Sequence, residues 1–341
     1  MPQIRAVLWV LIAGLSVWGG WFFLSQTDRH GEPLQSSYVA PSTEQSITPI
    51  PDFIELDKRK VALGRRLFHD TQLSRDNTVS CASCHDLARA GVDANPVAVG
   101  VAKQMGTVNS PTVLNSGFNF SQFWDGRAAT LEEQAEGPVH NPIEMASNWP
   151  EVIAKLSRDA QYVRDFQSTW PGERGAITAG HIQSAIAEFE RSLITPDSAF
   201  DRYLKGDAQA LNAEARKGWD LFRNLGCIAC HQGVNMGGNM YANLGIMGDY
   251  FADRGKQPGK SDMGRFNVTG REEDRHMFKV PTLRNIARTA PYFHDGSITQ
   301  LEKAVDTMAR YQLGVELSQP DRNALVAFLS AQNGRLPEIR P

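Results

Sequence analysis

Two pentads, Cys81-Ala-Ser-Cys84-His85 and Cys227-Ile-Ala-Cys230-His231, carry the plainest chemistry in this chain. Thiols two residues apart, followed at once by an imidazole, fit covalent haem attachment outside the cytoplasm. Each cysteine forms a thioether to the porphyrin, and His85 or His231 supplies the proximal nitrogen to iron. The thiol pair alone would also suit a dithiol redox couple or half of a zinc site. Zinc would need partner ligands at short spacing, and the pentads stand far apart. All four cysteines are used, leaving none for a disulfide or a lone catalytic thiol.

What a haem does depends on its sixth position: a strong protein ligand makes an electron-transfer centre, and an open one admits a small oxidant. After His85 no histidine occurs before His140, and the nearest methionine is Met105. Around the second pentad stand Met236, Met240, Met247, Met263, Met277, Met308, His276 and His294, and residue type alone does not choose among them. Met308 shares a helical face with Leu301 and Val305, a pattern that by itself favours a core methionine over a ligand. Residues 123–145 are dense in functional types. Trp124 reads as a conduit between haems or as core. Glu144, between Ile143 and Met145, reads as a desolvated acid/base or as a surface carboxylate. Asp125 and Arg127 read equally well as a structural ion pair, and His140 as a ligand, an acid or a surface residue.

The elements that must position these groups are helical. Apolar residues at helical spacing over 56–68 and 213–224 predict a helix running into each pentad, an internal repeat of helix, short loop and haem site. Further helices are predicted at 131–136, 150–157, 178–192, 299–310 and 321–331, the last capped by Asp321. The glycine-rich stretch 233–270 reads as loop wrapped around the second haem. The fold class is all-α: two cytochrome c-like haem domains with long loops, 52–200 and 201–341.

With 341 residues and a net charge of −3, the chain has no basic run that would suit nucleic acid. Residues 1–25 place Arg5 before an uncharged apolar run over 6–25, about the 20 residues that span a bilayer. They predict a signal anchor tethering an exported, periplasmic protein to the inner membrane, or alternatively a cleaved signal peptide. Residues 26–51, rich in Ser, Thr, Pro and Gln, read as a flexible linker.

The series LGRRLFHDTQLSRDNTVSCASCH (63–85), NSPTVLNSGFNFSQFWDGRAATLEEQAEGPVHNPIEM (109–145) and VPTLRNIARTAPYFHDGSITQLEKAV (280–305) resembles the bacterial di-haem cytochrome c peroxidase family, which includes the MauG-type enzymes. The resemblance spans about residues 52–332. It implies an enzyme carrying two covalent haems c that reduces hydrogen peroxide to water with electrons from a small periplasmic cytochrome c or cupredoxin. The haem on His85 would be peroxidatic, with Glu144 as distal acid/base and Phe123, Gln134 and Pro138 shaping the pocket. Trp124 would lie between the haems. Met308 would be the distal ligand of the His231 haem, with Tyr311 as the substitute MauG-type members use in that region. An inter-domain calcium ion would take Asn109, Thr289 and Pro291, and a homodimer is expected.

The chain departs from the family in one respect. Many members hold the resting first haem with a histidine in the loop after the first pentad, and 97–109 contains none. That implies a first haem open at rest. Two other readings stand beside the peroxidase: a MauG-like enzyme that oxidises a protein side chain, and a membrane-tethered electron carrier that is no enzyme.

Overall fold

The computed structural model describes residues 46–172 and 177–338. Its helices of six residues or more are α1 (Lys58–His69), α2 (Leu131–His140), α3 (Trp149–Leu156), α4 (Ala160–Thr169), α5 (Ala179–Ser192), α6 (Ala199–Leu204), α7 (Ala213–Asn224), α8 (Leu301–Met308) and α9 (Gln319–Ser330). The described fold is predominantly α-helical with little sheet: β1 (Tyr241–Asn243) pairs antiparallel with β2 (Met277–Lys279), Ala242 opposite Phe278. β1 and the short helices Tyr250–Asp253 and Phe266–Thr269 interrupt the stretch 233–270, expected to be loop alone.

Side-chain caps and apolar stripes account for the helices that matter. The Asp57 carboxylate accepts from the Arg59 and Lys60 N–H groups to open α1, and Asn212 does the same for Ala215 in α7. Each helix then buries one face, Leu63, Gly64, Leu67 and Phe68 in α1, and Ala215, Gly218, Trp219 and Phe222 in α7. In α9 the cap is Ser318 rather than Asp321: Pro320 suits a first helical turn, and Asp321 N–H bonds back to Ser318 Oγ. The α8 helix stops at Met308 and continues as a wider turn over Ala309–Leu313, so the helix expected to 310 ends two residues early.

Two helix crossings repeat the same contact. A Cβ on Gly64 would run into the Ala185 carbonyl of α5 and the Phe189 Cβ; one on Gly218 would run into the Ala324 carbonyl of α9 and the Phe328 Cβ. The phenyl rings beside each crossing meet at 5.2 Å, Phe68 with Phe189 and Phe222 with Phe328. The repeat extends further than the pentads. Pro111–Asn115 and Pro281–Asn285 carry matching turns, with Asn115 and Asn285 at φ 61° and 62°. Phe123 and Phe293 follow at φ 66° and 67°, and each lies in a tight loop closed by a single β-bridge, Gln122 to Ala128 and Tyr292 to Ile298.

Two expectations are corrected. Among the described residues no helix is long and apolar enough to cross a membrane, and residues 6–25 lie outside them. The membrane anchor, and with it the transmembrane assignment, the membrane as a partner and the tethered localisation, are withdrawn. The linker also ends earlier than residue 51, because Ile47 and Ile50 are buried. Thr48 O accepts from Arg284 and Ile50 N–H donates to Asp201, and Arg284 and Asp201 form a fully buried ion pair of 2.9 Å. The described residues between 46 and 338 form one compact unit.

Gly64→Ala and Gly218→Ala are each expected to destabilise the haem-loaded protein by about 1–3 kcal/mol, the usual cost of overpacking. Thermal melts check this, and an unchanged Tm would mean that the helices tolerate separation.

Candidate functional site

Both pentads open into one continuous cavity of about 1100 Å³. That is larger than an ordinary single-ligand site of roughly 300–1,000 Å³. Cys81, Cys84 and His85 line one part and Cys227, Cys230 and His231 the other. The first pentad forms a helical turn in which Ser80 N–H bonds to Ser83 Oγ. The second follows Gly226 at φ 95°, a backbone conformation that suits glycine.

Each histidine is held by a carbonyl, His85 Nδ1 by Gly91 O at 3.3 Å and His231 Nδ1 by Met236 O at 3.2 Å. Burial lowers the pKa of His85 and brings His231 down to about 4, so both rings are neutral at pH 7. A neutral imidazole that donates through Nδ1 presents the Nε2 lone pair, which is what iron requires. The residues present therefore fit a haem on each pentad.

In the first half Phe123, Trp124, Gln134, Pro138 and Glu144 all line the cavity. Glu144 is half-buried, and loss of hydration raises its pKa, while Arg127 and Asn141 pull it back down. Asn141 Nδ2 donates to Glu144 Oε1 at 3.0 Å. The Arg127 guanidinium lies 3.4 Å from the centre of the Phe123 ring and pairs with Asp125 at 3.0 Å. The ion pair is thus real, and it also tilts the field at Glu144. Asn141 was not among the residues singled out from sequence, although its spacing of three from Glu144 was a usable sign.

The two alternative ligands for the first iron turn away from the cavity. Met105 is 65% exposed. His140 pairs with Glu136 at 3.3 Å and rests its ring against Trp149. In the second half Met308 is the candidate methionine that lines the cavity. The Tyr311 hydroxyl donates to Asp253 at 3.0 Å instead. His276 donates through Nδ1 to the Asp262 carbonyl, and His294 is bound through Nε2 to Asp262 at 2.7 Å. In the repeat that aligns Phe123 with Phe293, Met308 corresponds to Pro138.

At the join of the halves two repeat-related bonds face each other, Asn109 N–H to His294 O and Lys279 N–H to Trp124 O, both 2.8 Å. Trp124 Nε1 donates to Asn109 O at 3.0 Å, and its ring lies 6.5 Å from His294. Asn109 Nδ2 is spent on Asn95 O at 2.9 Å and Pro96 O at 3.3 Å, which turns its oxygen the other way; Thr289 and Pro291 share the cavity wall. An oxygen-only set of this kind suits a hard cation. Asp262, His294 and Asp295 also cluster, but both carboxylates are already paired, with Arg254 at 2.9 and 2.8 Å and, for Asp295, with Lys256 at 3.4 Å.

The sequence profile of di-haem cytochrome c peroxidases matches residues 58–209. The chain is 42% identical over 299 residues to cytochrome c551 peroxidase of Nitrosomonas europaea, covering 88% of this chain and 87% of that one. The chain belongs to the di-haem cytochrome c peroxidase family. It is also 47% identical over 308 residues to cytochrome c peroxidase Ccp of Escherichia coli, which takes in 90% of this chain and 65% of the length of that relative. A solved MauG-like protein associated with microbial copper homeostasis superposes with a TM-score of 0.76 at 30% identity, covering 84% of this chain and 95% of that one. This family member is accordingly a di-haem enzyme of the cytochrome-c peroxidase type.

Met308→Ala is expected to change the electron paramagnetic resonance signal of one haem from low spin towards high spin, and Tyr311→Phe to leave both signals unchanged. The reverse result would put Tyr311 on the iron.

Proposed function

We propose that this peroxidase reduces hydrogen peroxide to two waters with electrons taken one at a time from a small periplasmic cytochrome c or cupredoxin. The His85 half meets peroxide, and the half with His231 and Met308 receives electrons. The observation that carries this reading is the contrast between equivalent positions: methionine in the second half, proline in the first, with Met105 and His140 facing elsewhere. A proline side chain offers iron no donor atom.

Haem, when bound, supplies the redox chemistry: its iron binds peroxide and accepts and passes on electrons. The protein supplies the proton handling. Phe123 and Pro138 keep bulk water from the carboxyl, which brings the Glu144 pKa up towards the operating pH. Ionised Glu144 takes the proton from the nearer peroxide oxygen and returns it to the departing one. Gln134 orients the substrate through its amide, and Trp124 carries electrons across the join. The net reaction consumes one peroxide, two electrons and two protons and yields two waters. Asn109 Oδ1 with the Thr289 and Pro291 carbonyls would hold a calcium ion at the join.

Glu144→Gln is expected to lower kcat/KM for peroxide by about 10²- to 10⁴-fold, the range for loss of a positioned acid/base. Turnover should begin on mixing oxidised enzyme with peroxide and reduced donor. A requirement for pre-reduction would mean that a ligand closes the first iron.

Asn141→Leu gives a pH test with a definite sign. Its N–H favours the ionised carboxylate, so its loss raises the Glu144 pKa further. Activity that needs ionised Glu144 falls as pH drops through that pKa. The acid limb of kcat/KM should therefore move to higher pH, and an unmoved limb would assign it to another group.

A further inference from the structure

The two halves differ at a buried position that the chemistry above does not use. Phe189 on α5 and Phe328 on α9 occupy matching places at the glycine crossings. The residues that follow them, Glu190 and Leu329, both line the cavity and are 5% and 6% exposed. Hydrocarbon thus stands beside the second haem site where a carboxyl stands beside the first.

No cation among the described residues pairs with Glu190. Its neighbour Arg191 is committed to Glu132 on α2 at 2.8 Å and to Glu188 at 3.4 Å. Glu132 adds a charge of the same sign, and the Cys81 side chain lies within electrostatic reach. From α1 the nearby titratable ring is His69, packed on Phe189 at 6.2 Å and held by the Arg65 carbonyl. An unpaired carboxylate in such a place is costly, so burial pushes the Glu190 pKa up to about 8, and around and above that pH the group is free to take up a proton. A group held near its own titration point, inside a low-dielectric wall, responds to any change of charge on a haem bound beside it.

We infer that Glu190 is the proton-exchanging partner of the haem attached through Cys81, taking up a proton as that haem gains an electron and releasing it as the electron leaves. The electron comes from the reduced donor protein, the proton comes from solvent and returns to it, and the net charge of this half stays constant. Glu190 acts through the potential and is not a catalytic residue. The inference rests on haem attachment at Cys81, not on that haem being the one that meets peroxide.

The test is spectropotentiometry of the full-length, haem-loaded protein across a pH series, resolving both haems, with peroxide turnover measured alongside. In the wild type the first haem's midpoint should fall around pH 8, approaching 59 mV per tenfold drop in proton activity, as one proton per electron demands. Glu190→Gln, and Glu190→Leu copying the second half, should flatten that slope and leave the second haem's profile unchanged. An unchanged slope in Glu190→Gln, or an equal loss in both haems, overturns the inference. If neither variant binds haem, the redox-difference infrared spectrum of the wild type decides. A protonated-carboxyl band that appears on reduction near pH 8 supports the inference, and its absence overturns it. A slope that behaves as expected without peroxide turnover would sink the proposed reaction and leave the role of Glu190 standing.

Discussion

Where the helices that lead into the pentads cross their partners, backbone lies against backbone, Gly64 on the Ala185 carbonyl and Gly218 on that of Ala324. Helices separated by side chains pack roughly 8–10 Å apart, and removing the Cβ at the contact lets them sit closer and fixes where along each helix they touch. The two helices that lead into the pentads are pinned in this way, α1 by α5 and α7 by α9. Phe68 and Phe222, four residues beyond each glycine, lock the crossing with ring contacts, edge-on to Phe189 in the first and tilted against Phe328 in the second. The placement of the cysteines and histidines follows from those contacts.

Two sets of buried strong charges are held in ion pairs. Arg284 and Asp201 pair with each other and with the 46–50 segment, and Arg254 is shared by Asp262 and Asp295. Leaving any of these unpaired would be far costlier than the pairs are beneficial. Three ionisable side chains that line the cavity are shifted by desolvation: Glu144 upward, Glu190 up to about 8 and Lys279 down to about 8. A site built to pass electrons thereby also holds groups able to pass protons near neutral pH.

The pentads and the helices leading into them were legible because covalent haem attachment and a buried helical stripe each write a short local pattern. The α4 helix was missed because its stripe of Tyr162, Phe166 and Thr169 is broken by polar residues, and α6 because six residues give too little period. The burial of Ile47 and Ile50 had no local sign at all; it depends on Asp201 and Arg284, far along the chain. Met308 stood among several plausible ligands until the cavity wall separated it from the other candidate methionines around the second pentad, while His294, also on that wall, is bound to Asp262. The equivalence of Pro138 and Met308 was written in the sequence, in FWDG and FHDG, but a repeat read from the pentads alone stops short of it. Roles that depend on burial, such as those of Asn141 and Glu190, have no such signature.

One hydroxyl gives the duplicated halves a shared fate. Thr195 Oγ1 accepts the side-chain amides of both Asn115 and Asn285, each at 2.8 Å, so a single oxygen serves two turns that are images of each other. Duplicated segments ordinarily drift apart, since each has its own contacts to maintain. Here neither turn can shift, or exchange its asparagine, without disturbing the partner through that oxygen. Thr195 is a common pivot: it divides mechanical load between the halves and sets a geometric tolerance that both must meet, however far their chemistry diverges.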